Sequence, residues 1–287
     1  MDRTFETKPL RWRKFSKDEH PLAKTFLVTR ERFCVSASAR FLRMREDRGQ
    51  IWYLNNTAEK ISALLLYSHQ SLYPVFDKNS DIPRPRFLNR FWGKIPVHAI
   101  QGLREDTEIL ESLIEPRGYT AKDRIDFDLM NIDNQPETGA LRSGPAGLIL
   151  RPPASGDEEQ LFALQSAYEQ EEVLPKNGIF NPSVCRLTLS NILKNEQILV
   201  AELDGQVVGK INTSAESFTR CQIGGVYVRP DCRGRGIAVK MTAVFVRNLL
   251  AHKKGVTLFV KCRNSAAKSV YRKVGLIALA NYRITYY

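Results

Sequence analysis

The run RPDCRGRGIA at positions 229–238 decides how the C-terminal half of the chain folds. It follows a strand-like run from Cys221 to Val228 that is rich in Val, Ile and Tyr. It also opens an apolar stretch with helical spacing, from Gly236 to Leu250. The pattern therefore predicts a strand, a turn with two glycines, and a helix that begins directly after the turn.

This two-glycine turn has the chemistry of a phosphate-binding site. A turn of this kind aims several backbone N–H groups outward at the positive end of the helix dipole. Gly234 and Gly236 would let the backbone approach phosphates without a Cβ in the way, and Arg233 and Arg235 add positive charge. A pyrophosphate ligand fits best, while the pattern alone is also typical of a plain strand-to-helix connection beside solvated arginines.

Positive charge is concentrated in the last quarter of the chain. Residues 218–287 hold fourteen Lys and Arg but one acid, Asp231, whereas the rest of the chain is close to neutral and the total is +12. An electropositive segment of this kind indicates an anionic ligand. Nucleic acid, an anionic membrane surface and a phosphorylated cofactor all meet that description.

A second motif, NSAAKSVYRKVGL at positions 264–276, lies one crossover downstream and predicts a short helix from Ser265 to Val274. Together the two motifs closely resemble the GNAT superfamily of N-acetyltransferases. The first family signature, Arg/Gln-x-x-Gly-x-Gly/Ala, is matched by Arg233, Gly236 and Ala238. The second signature is matched by Asn264, Ala267, Tyr271 and the pair Gly275-Leu276.

The resemblance covers residues 147–287 and implies an acetyl-coenzyme A-dependent N-acetyltransferase that acts on a primary amine. It implies that Tyr271 is the general acid that protonates the departing thiolate, and that no metal takes part. The acetyl-CoA-binding residues that it implies lie on the strand, the turn and the second motif: Val226, Tyr227, Val228, Arg233, Gly234, Arg235, Gly236, Ile237, Ala238, Val239, Asn264, Ala267 and Tyr271.

The general base is where this sequence departs from the family pattern. The family often places a carboxylate on the strand before the turn, and positions 222–224 offer none. Glu216, before that strand, is our predicted base, and Glu169, Glu171 and Glu172 are the alternatives. Each of these carboxylates is also explained as solvated surface charge, and Tyr271 as an aromatic ring that packs on its own helix.

The chain is expected to form two domains joined by a linker. Positions 134–146 are rich in Pro, Gly and small polar residues and show no apolar periodicity. After them, the predicted order of elements is β-α-α-β-β-β-α-β-α-β, with Asp204-Gly205 as a hairpin turn and Asn181 as a helix cap. This order predicts an α/β (α+β) fold with a mixed, mostly antiparallel sheet and helices on both faces, in a domain of residues 147–287.

Residues 1–133 repeat the same plan more faintly, so two such domains in tandem are expected. Predicted helices at 17–28, 32–45 and 104–114 accompany predicted strands at 50–54, 61–67, 71–76, 96–102 and 125–130. No Arg/Gln-x-x-Gly-x-Gly/Ala turn occurs before residue 140. This half resembles the degenerate, non-catalytic N-terminal domain of some bacterial GNAT proteins, which would shape the acceptor site or a dimer contact.

Several classes of protein are disfavoured by the composition. No apolar run is long enough to cross a bilayer, and the N-terminus lacks the order of a secretory signal, so we expect a cytoplasmic protein. Five scattered cysteines are expected as free thiols, and the four histidines form no local cluster that would bind a metal.

Three functional hypotheses remain open at this stage. The first is an enzyme that transfers an acetyl group to a small-molecule or protein amine that the sequence does not identify. The second is a sensor that binds acetyl-CoA without turnover, suggested by the missing base. The third is an acetyltransferase that works on RNA or a ribonucleoprotein, although no basic motif interleaved with aromatics favours nucleic acid as a partner. Whether the chain forms a homodimer is also open.

Overall fold

The computed structural model describes residues 10–16, 19–44, 49–55, 60–78, 80–88, 96–174 and 178–287. Packing divides the chain into two compact units. The first comprises Met1–Phe127 and Ala280–Tyr287, and the second comprises Asp128–Leu279.

Both units contain helices and strands. The helices are α1 (His20–Arg30), α2 (Val35–Leu42), α3 (Arg104–Ile114), α4 (Thr138–Leu141), α5 (Glu158–Tyr168), α6 (Pro182–Asn195), α7 (Ile237–Leu250) and α8 (Ser265–Val274). The strands are β1 (Arg13–Lys14), β2 (Gln50–Asn55), β3 (Ile61–Ser68), β4 (Ser71–Phe76), β5 (Ala99–Leu103), β6 (Asp123–Ile132), β7 (Ile149–Arg151), β8 (Ile198–Leu203), β9 (Gln206–Glu216), β10 (Arg220–Val228), β11 (Gly255–Lys261) and β12 (Ile277–Tyr286).

Most predicted elements are confirmed, three of them with the predicted bounds: β4, α3 and α8. The hairpin at Asp204-Gly205 joins β8 to β9, and both of its residues have positive φ, as a tight two-residue hairpin turn requires. The predicted helices at 17–28 and 32–45 are present as α1 and α2. Their predicted ends at 17, 18 and 45 lie outside the described residues.

In the first unit the strand order is β1-β2-β3-β4-β5, followed by the last residues of β12. All neighbours are antiparallel except β4 and β5, which are parallel and paired at Ser71↔Ala99 and Leu72↔Ile100. The strand β3 is buried along its whole length, as expected for the middle of a covered sheet.

In the second unit the strand order is β7-β8-β9-β10-β11, with β10 and β11 parallel and the other pairs antiparallel. Adjacent residues of β9 and of β10 face different hydrophobic clusters, because successive side chains of a strand point to opposite faces. Val207 and Tyr227 pack with α5 and α6, while Val208 and Val228 pack with α7. The expected mixed sheet with helices on both faces is therefore confirmed.

Residues 134–146 are more ordered than a Pro- and Gly-rich linker. They lie within the second compact unit, contain α4 and bury Ala140 in its core. The last eight residues, in contrast, belong to the first unit, where β12 pairs with β5 from Tyr282↔Leu103 to Tyr286↔Ala99. The domain bounds of 1–133 and 147–287 stay predictions about which segments act as functional domains.

Two further findings concern the side chains and the helices. All five cysteines are free thiols, as expected. Among the described helices, none combines the length and the apolar character that a membrane span needs.

Candidate active site

The site lies where the two parallel strands of the second unit separate. The strands β10 and β11 pair from Arg220↔Gly255 to Ile223↔Leu258, and the pairing ends there. Beyond this point a cavity of about 470 Å³ lies along the end of β10, the turn after it and the start of α8. Twelve of the predicted acetyl-CoA-binding residues line it: Val226, Tyr227, Val228, Arg233, Gly234, Gly236, Ile237, Ala238, Val239, Asn264, Ala267 and Tyr271. Arg235 is exposed and is not part of this lining.

A β-bulge re-aims β10 at the cavity. In the pairing with β9, Gly224 faces Asn212 but Tyr227 faces Lys210. Between these two pairs β10 therefore has one residue more than β9. Gly225 has a φ of 59°, and a Cβ at this position would collide with the side-chain oxygen of Asn212. This bulge requires a glycine at 225.

The two glycine positions of the turn differ in what a Cβ would contact. Gly234 has a φ of 78°, and a Cβ there would meet no atom within 4 Å. Gly236 has a φ of 80°, but its Cβ would lie 2.9 Å from the backbone nitrogen of Gly144. At Gly234 the space is open, as expected for a residue beside a ligand. At Gly236 a Cβ is excluded by the chain itself, because the segment around Gly144 packs against this position.

The start of α7 supplies free backbone donors beside this turn. The first hydrogen bond of the helix runs from the N–H of Lys240 to the carbonyl of Gly236, over 3.1 Å. The N–H groups of Ile237, Ala238 and Val239 precede this bond and therefore have no acceptor within the helix. They carry the positive end of the helix dipole at the cavity wall, which is an arrangement that suits an anion.

Arg233 fastens the turn to the strand before it. Its Nε donates to the carbonyl of Val228 over 2.9 Å, and its guanidinium lies 5.1 Å from the ring centre of Tyr227. Its Nη2 donates to Glu171 over 2.9 Å. The residue therefore positions the turn as well as adding charge to it.

An acidic π-helical turn, Glu169–Val173, contacts the cavity from the opposite side. Glu171 accepts hydrogen bonds from Tyr227 Oη over 2.5 Å and from Arg233. Partial burial raises the pKa of Glu171, but these two hydrogen bonds outweigh it and the net pKa is lowered. Glu172 accepts from Asn264 Nδ2 over 3.0 Å and lies 3.5 Å from Lys261 Nζ. The acidic turn is thus bound to both cofactor motifs of the sequence.

Asn264 and Tyr271 come from the second motif. The Oδ1 of Asn264 accepts from the N–H of Ala267 over 3.0 Å, so the residue is the N-cap of α8. Tyr271 lines the cavity with only 7% of its surface exposed, and its hydroxyl has no hydrogen-bond partner within the described part of the chain. Burial raises the pKa of Tyr271 far above its usual value, so the phenol keeps its proton at neutral pH.

The side chain of Lys210 is a buried polar group behind the bulge that was not predicted from the sequence. Lys210 is 2% exposed, and its Nζ donates to Asn212 Oδ1 and to the carbonyl of Gly225, each over 3.1 Å. Its signal in the sequence is a single lysine between the apolar residues Val208 and Ile211. A bulge carbonyl held by a buried ammonium keeps the backbone of β10 in one conformation beside the cavity.

Glu216 is not brought into the cavity. It is the last residue of β9, where it forms an ion pair with Lys253 over 2.8 Å. Of the four carboxylates considered as bases, Glu171 and Glu172 line the cavity. No group of three or more potential metal ligands occurs among the described residues.

Part of the positive C-terminal charge is neutralised by acids from earlier in the chain. Arg220 pairs with Asp133 over 2.6 Å, and Lys268 pairs with Asp128 over 3.1 Å. Lys273, in contrast, lines the cavity together with Arg233. The positive charge that the cavity presents is therefore smaller than the composition alone suggests, and it is localised at the turn and α8.

Comparison with known proteins places this site in a family. A family model described as an acetyltransferase (GNAT) domain matches residues 194–275. None of the curated protein sequences matches the chain. The matched segment contains the bulge, the two-glycine turn and both signature motifs.

Solved structures resemble the chain over nearly its whole length. A Drosophila protein has 12% identity and a TM-score of 0.66, with 96% of this chain and 98% of that chain covered. A GCN5-related N-acetyltransferase from Sphaerobacter thermophilus has 19% identity and a TM-score of 0.57, covering 97% and 96%. A tandem GNAT protein from the clavulanic acid biosynthesis pathway has 11% identity and a TM-score of 0.57, covering 96% and 98%. At these identities the similarities concern the fold. Residues 194–275 thus match the model of the acetyltransferase (GNAT) domain, and the chain has the fold of tandem GNAT proteins.

Proposed function

We propose that the chain is an acetyl-CoA-dependent N-acetyltransferase that transfers an acetyl group to a primary amine by direct attack on the thioester. Residues 147–287 are the catalytic domain in this proposal, and residues 1–133 are a degenerate, non-catalytic one. The observation that carries the proposal is the cavity along the end of β10, beyond its pairing with β11, which joins the two-glycine turn to Tyr271.

The residues around the cavity fit coenzyme A as the ligand. The open space at Gly234 leaves room for a phosphate close to the backbone, and the N–H groups of Ile237, Ala238 and Val239 are available as donors. The cavity is about 470 Å³ in volume, within the usual range of about 300–1,000 Å³ for small-molecule sites. The part of β10 from Val226 to Val228 lies beyond the pairing with β11 and lines the cavity, so it is an edge along which the pantetheine arm would bind.

The reaction requires little covalent chemistry from the protein. A bound acetyl thioester supplies a carbonyl that is already activated toward amines. The bulged backbone of β10 offers N–H groups that stabilise negative charge on the carbonyl oxygen, and the cavity walls hold the reactants together. As the N–C bond forms and the C–S bond breaks, Tyr271 Oη donates its proton to the sulfur, and a base accepts a proton from the amine.

The proton acceptor in this reaction is a carboxylate. Glu171 and Glu172 line the cavity and are the carboxylates from which a proton acceptor, acting directly or through water, is best chosen. The hydrogen bonds that lower the pKa of Glu171 keep it ionised, which a proton acceptor requires. Glu216 stays a predicted base, and its ion pair with Lys253 gives it a structural role as well.

A charge-matched pair of variants tests this proposal. Ala238 lies in the first turn of α7 and lines the cavity. Ala238→Glu would place a carboxylate where the phosphates are expected, whereas Ala238→Gln has nearly the same size without the charge. Calorimetry with acetyl-CoA should show binding to the wild type, weaker binding to the Gln variant, and at least about tenfold further weakening in the Glu variant.

Turnover is measured separately, by thiol release with a panel of amines. Tyr271→Phe should bind acetyl-CoA as the wild type does but release thiol about a hundredfold more slowly, since a positioned general acid contributes roughly this much. The fold should be retained, because the hydroxyl lacks a partner in the described region. An unchanged rate in Tyr271→Phe would exclude the assigned acid.

The alternatives give different results in the same experiments. Failure of the wild type to bind acetyl-CoA would overturn the proposal. Binding without thiol release from any amine would indicate a sensor. RNA binding that weakens steeply with salt, and that acetyl-CoA does not displace, would indicate action on a ribonucleoprotein.

A further inference from the structure

The first unit contains a cavity of its own, which the proposed reaction does not use. It has a volume of about 410 Å³ and lies along the ends of the parallel strands β4 and β5, beyond the point where their pairing ends. The α1–α2 region and the start of α3 complete its walls. All of its lining residues belong to the first unit.

A single buried carboxylate faces this cavity. Asp106, in the first turn of α3, is 8% exposed, and its Oδ2 accepts a hydrogen bond from the N–H of Phe76 over 3.2 Å. The other oxygen, Oδ1, has no hydrogen-bond partner among the described residues. Buried carboxylates are normally paired with a cation or fully hydrogen-bonded, because removing the charge from water is costly. Asp106 is therefore only half satisfied by the protein.

The cationic side chains near Asp106 form no ion pair with its carboxylate among the described residues. Arg30 is bound to Asp77 over 2.5 Å, and its guanidinium lies 4.2 Å from the ring centre of Phe26. Lys78 is exposed. Burial raises the pKa of Asp106 to about 7, although the N–H of Phe76 opposes this, so the carboxyl group takes up a proton in place of a cation near neutral pH.

The remaining walls offer no backbone cradle for a phosphate and favour an apolar body. The glycine of the lining, Gly102, packs against the carbonyl of Pro74, 3.0 Å from its Cβ position, so it does not open a backbone cradle. Aromatic side chains of Phe33, Tyr73 and Phe76 form much of the surface. Aromatic faces stabilise organic cations as well as apolar groups.

We propose that this cavity is a binding site for a small organic ammonium compound, whose ammonium group binds Oδ1 of Asp106 and whose apolar body packs on Phe33, Tyr73 and Phe76. The ligand class follows from the lining: the carboxylate of Asp106 would bind a cation, and the aromatic walls beside it would contact an apolar group. The site is separate from the acetyl-CoA cavity and does not depend on the activity proposed for it.

Three probes of equal size and different charge test the ligand class: phenethylamine, phenethyl alcohol and phenylacetate. Calorimetry on the full chain without acetyl-CoA, at a pH of about 8, should show the tightest binding for phenethylamine, because Asp106 is then mostly ionised. Equal binding of the alcohol, tighter binding of phenylacetate, or no binding of the amine would overturn the proposal.

Two variants locate the probe. Asp106→Asn keeps an acceptor for the N–H of Phe76 but removes the charge, and it should weaken phenethylamine binding more than about tenfold. The matched control is Glu105→Gln, which removes a neighbouring exposed carboxylate of the same helix and should change the affinity less than about threefold. Equal affinities in wild type and Asp106→Asn would exclude this cavity.

The pH dependence of the wild type is an independent readout if Asp106→Asn fails to fold. Because the ammonium binds the ionised carboxylate, affinity should fall by nearly tenfold per pH unit below about 7. The other titratable or charged groups around Asp106 in the described part of the chain are Arg30 on α1, Cys34 before α2, Tyr73 on β4, Asp77 and Lys78 after β4, Glu105 on α3 and Tyr282 on β12. An affinity that is constant from about pH 8 down to 5 would contradict the contact with Asp106.

Discussion

Lys210 shows how much the environment of one residue decides. The side chain is enclosed behind the bulge of β10, and burial lowers its pKa to about 8, although Glu196 and Glu169 act in the opposite direction. Its ammonium lies 5.1 Å from the ring centre of Tyr168 and binds the carbonyl of Gly225. A lysine in this position costs stability while it is charged, and in return it holds the bulge on which the cavity depends.

This cost makes stability depend on pH in a defined direction. The pKa of Lys210 is about 8 in the folded chain, against an ordinary value of 10.5 for a lysine, so between these values the unfolded chain binds more protons. Wild-type stability should therefore rise from pH 8 to pH 10.5 by a contribution on the order of 3 kcal/mol, which Lys210→Met lacks. Urea unfolding across this range, with the exposed-lysine variant Lys254→Met as control, measures the difference. Parallel curves for wild type and Lys210→Met would contradict the lowered pKa.

At the scale of the element, two helices of the second unit begin with the same cap but serve different purposes. Asn181 Oδ1 accepts from the N–H groups of Ser183 and Val184, and thereby caps α6. Asn264 caps α8 in the same way, and it also donates to Glu172 at the cavity. The first cap is a matter of helix stability, whereas the second also positions the site.

The two caps can be separated by substitution with alanine. Asn181→Ala and Asn264→Ala should each lower the free energy of unfolding by about 1 kcal/mol, the usual cost of losing a cap. Only Asn264→Ala should weaken acetyl-CoA binding, because it also removes a contact at the cavity wall. Urea unfolding and calorimetry on both variants measure these effects. A comparable loss of affinity in Asn181→Ala would mean that cap loss alone disturbs the site.

At the scale of the whole molecule, the chain end is part of the first unit. Tyr282, on β12, is 2% exposed and lies close to Gln101 of β5, and the neighbouring Arg283 binds Asp126 over 2.7 Å. The chain thus completes its N-terminal unit with its last eight residues. A substitution in these last eight residues should consequently destabilise the N-terminal unit.

Tyr282→Ala tests this connection. Removing a buried aromatic ring should cost about 3–5 kcal/mol, and amide exchange should accelerate most in the strands β3 and β4 of the first unit. The control Tyr282→Phe keeps the ring and removes the hydroxyl, which makes a long hydrogen bond of 3.5 Å to Gln101 and also interacts with Ser36, so its cost should be about 1–2 kcal/mol, clearly below that of Tyr282→Ala. Equal acceleration in β10 and β11 would contradict the assignment of the last eight residues to the first unit.

The sequence by itself determined the features that local chemistry controls. The Asp204-Gly205 hairpin, the cap at Asn181, and the strand–turn–helix around 229–238 were all predicted, because the residues that specify each feature lie within a few positions of one another. The family resemblance of the two motifs identified twelve of the residues that line the cavity, since the end of β10, the turn and α8 each contribute a contiguous segment.

Only the tertiary structure decided which distant residues meet. Glu171 reaches Arg233 across 62 positions and Glu172 reaches Asn264 across 92, so no local pattern distinguishes them from solvated acids such as Glu216. The burial of Lys210 and Asp106 and the assignment of the last eight residues to the first unit likewise follow from long-range strand pairing and packing. Burial and charge pairing depend on how the whole sheet assembles, whereas turns and caps depend on the backbone of a few residues.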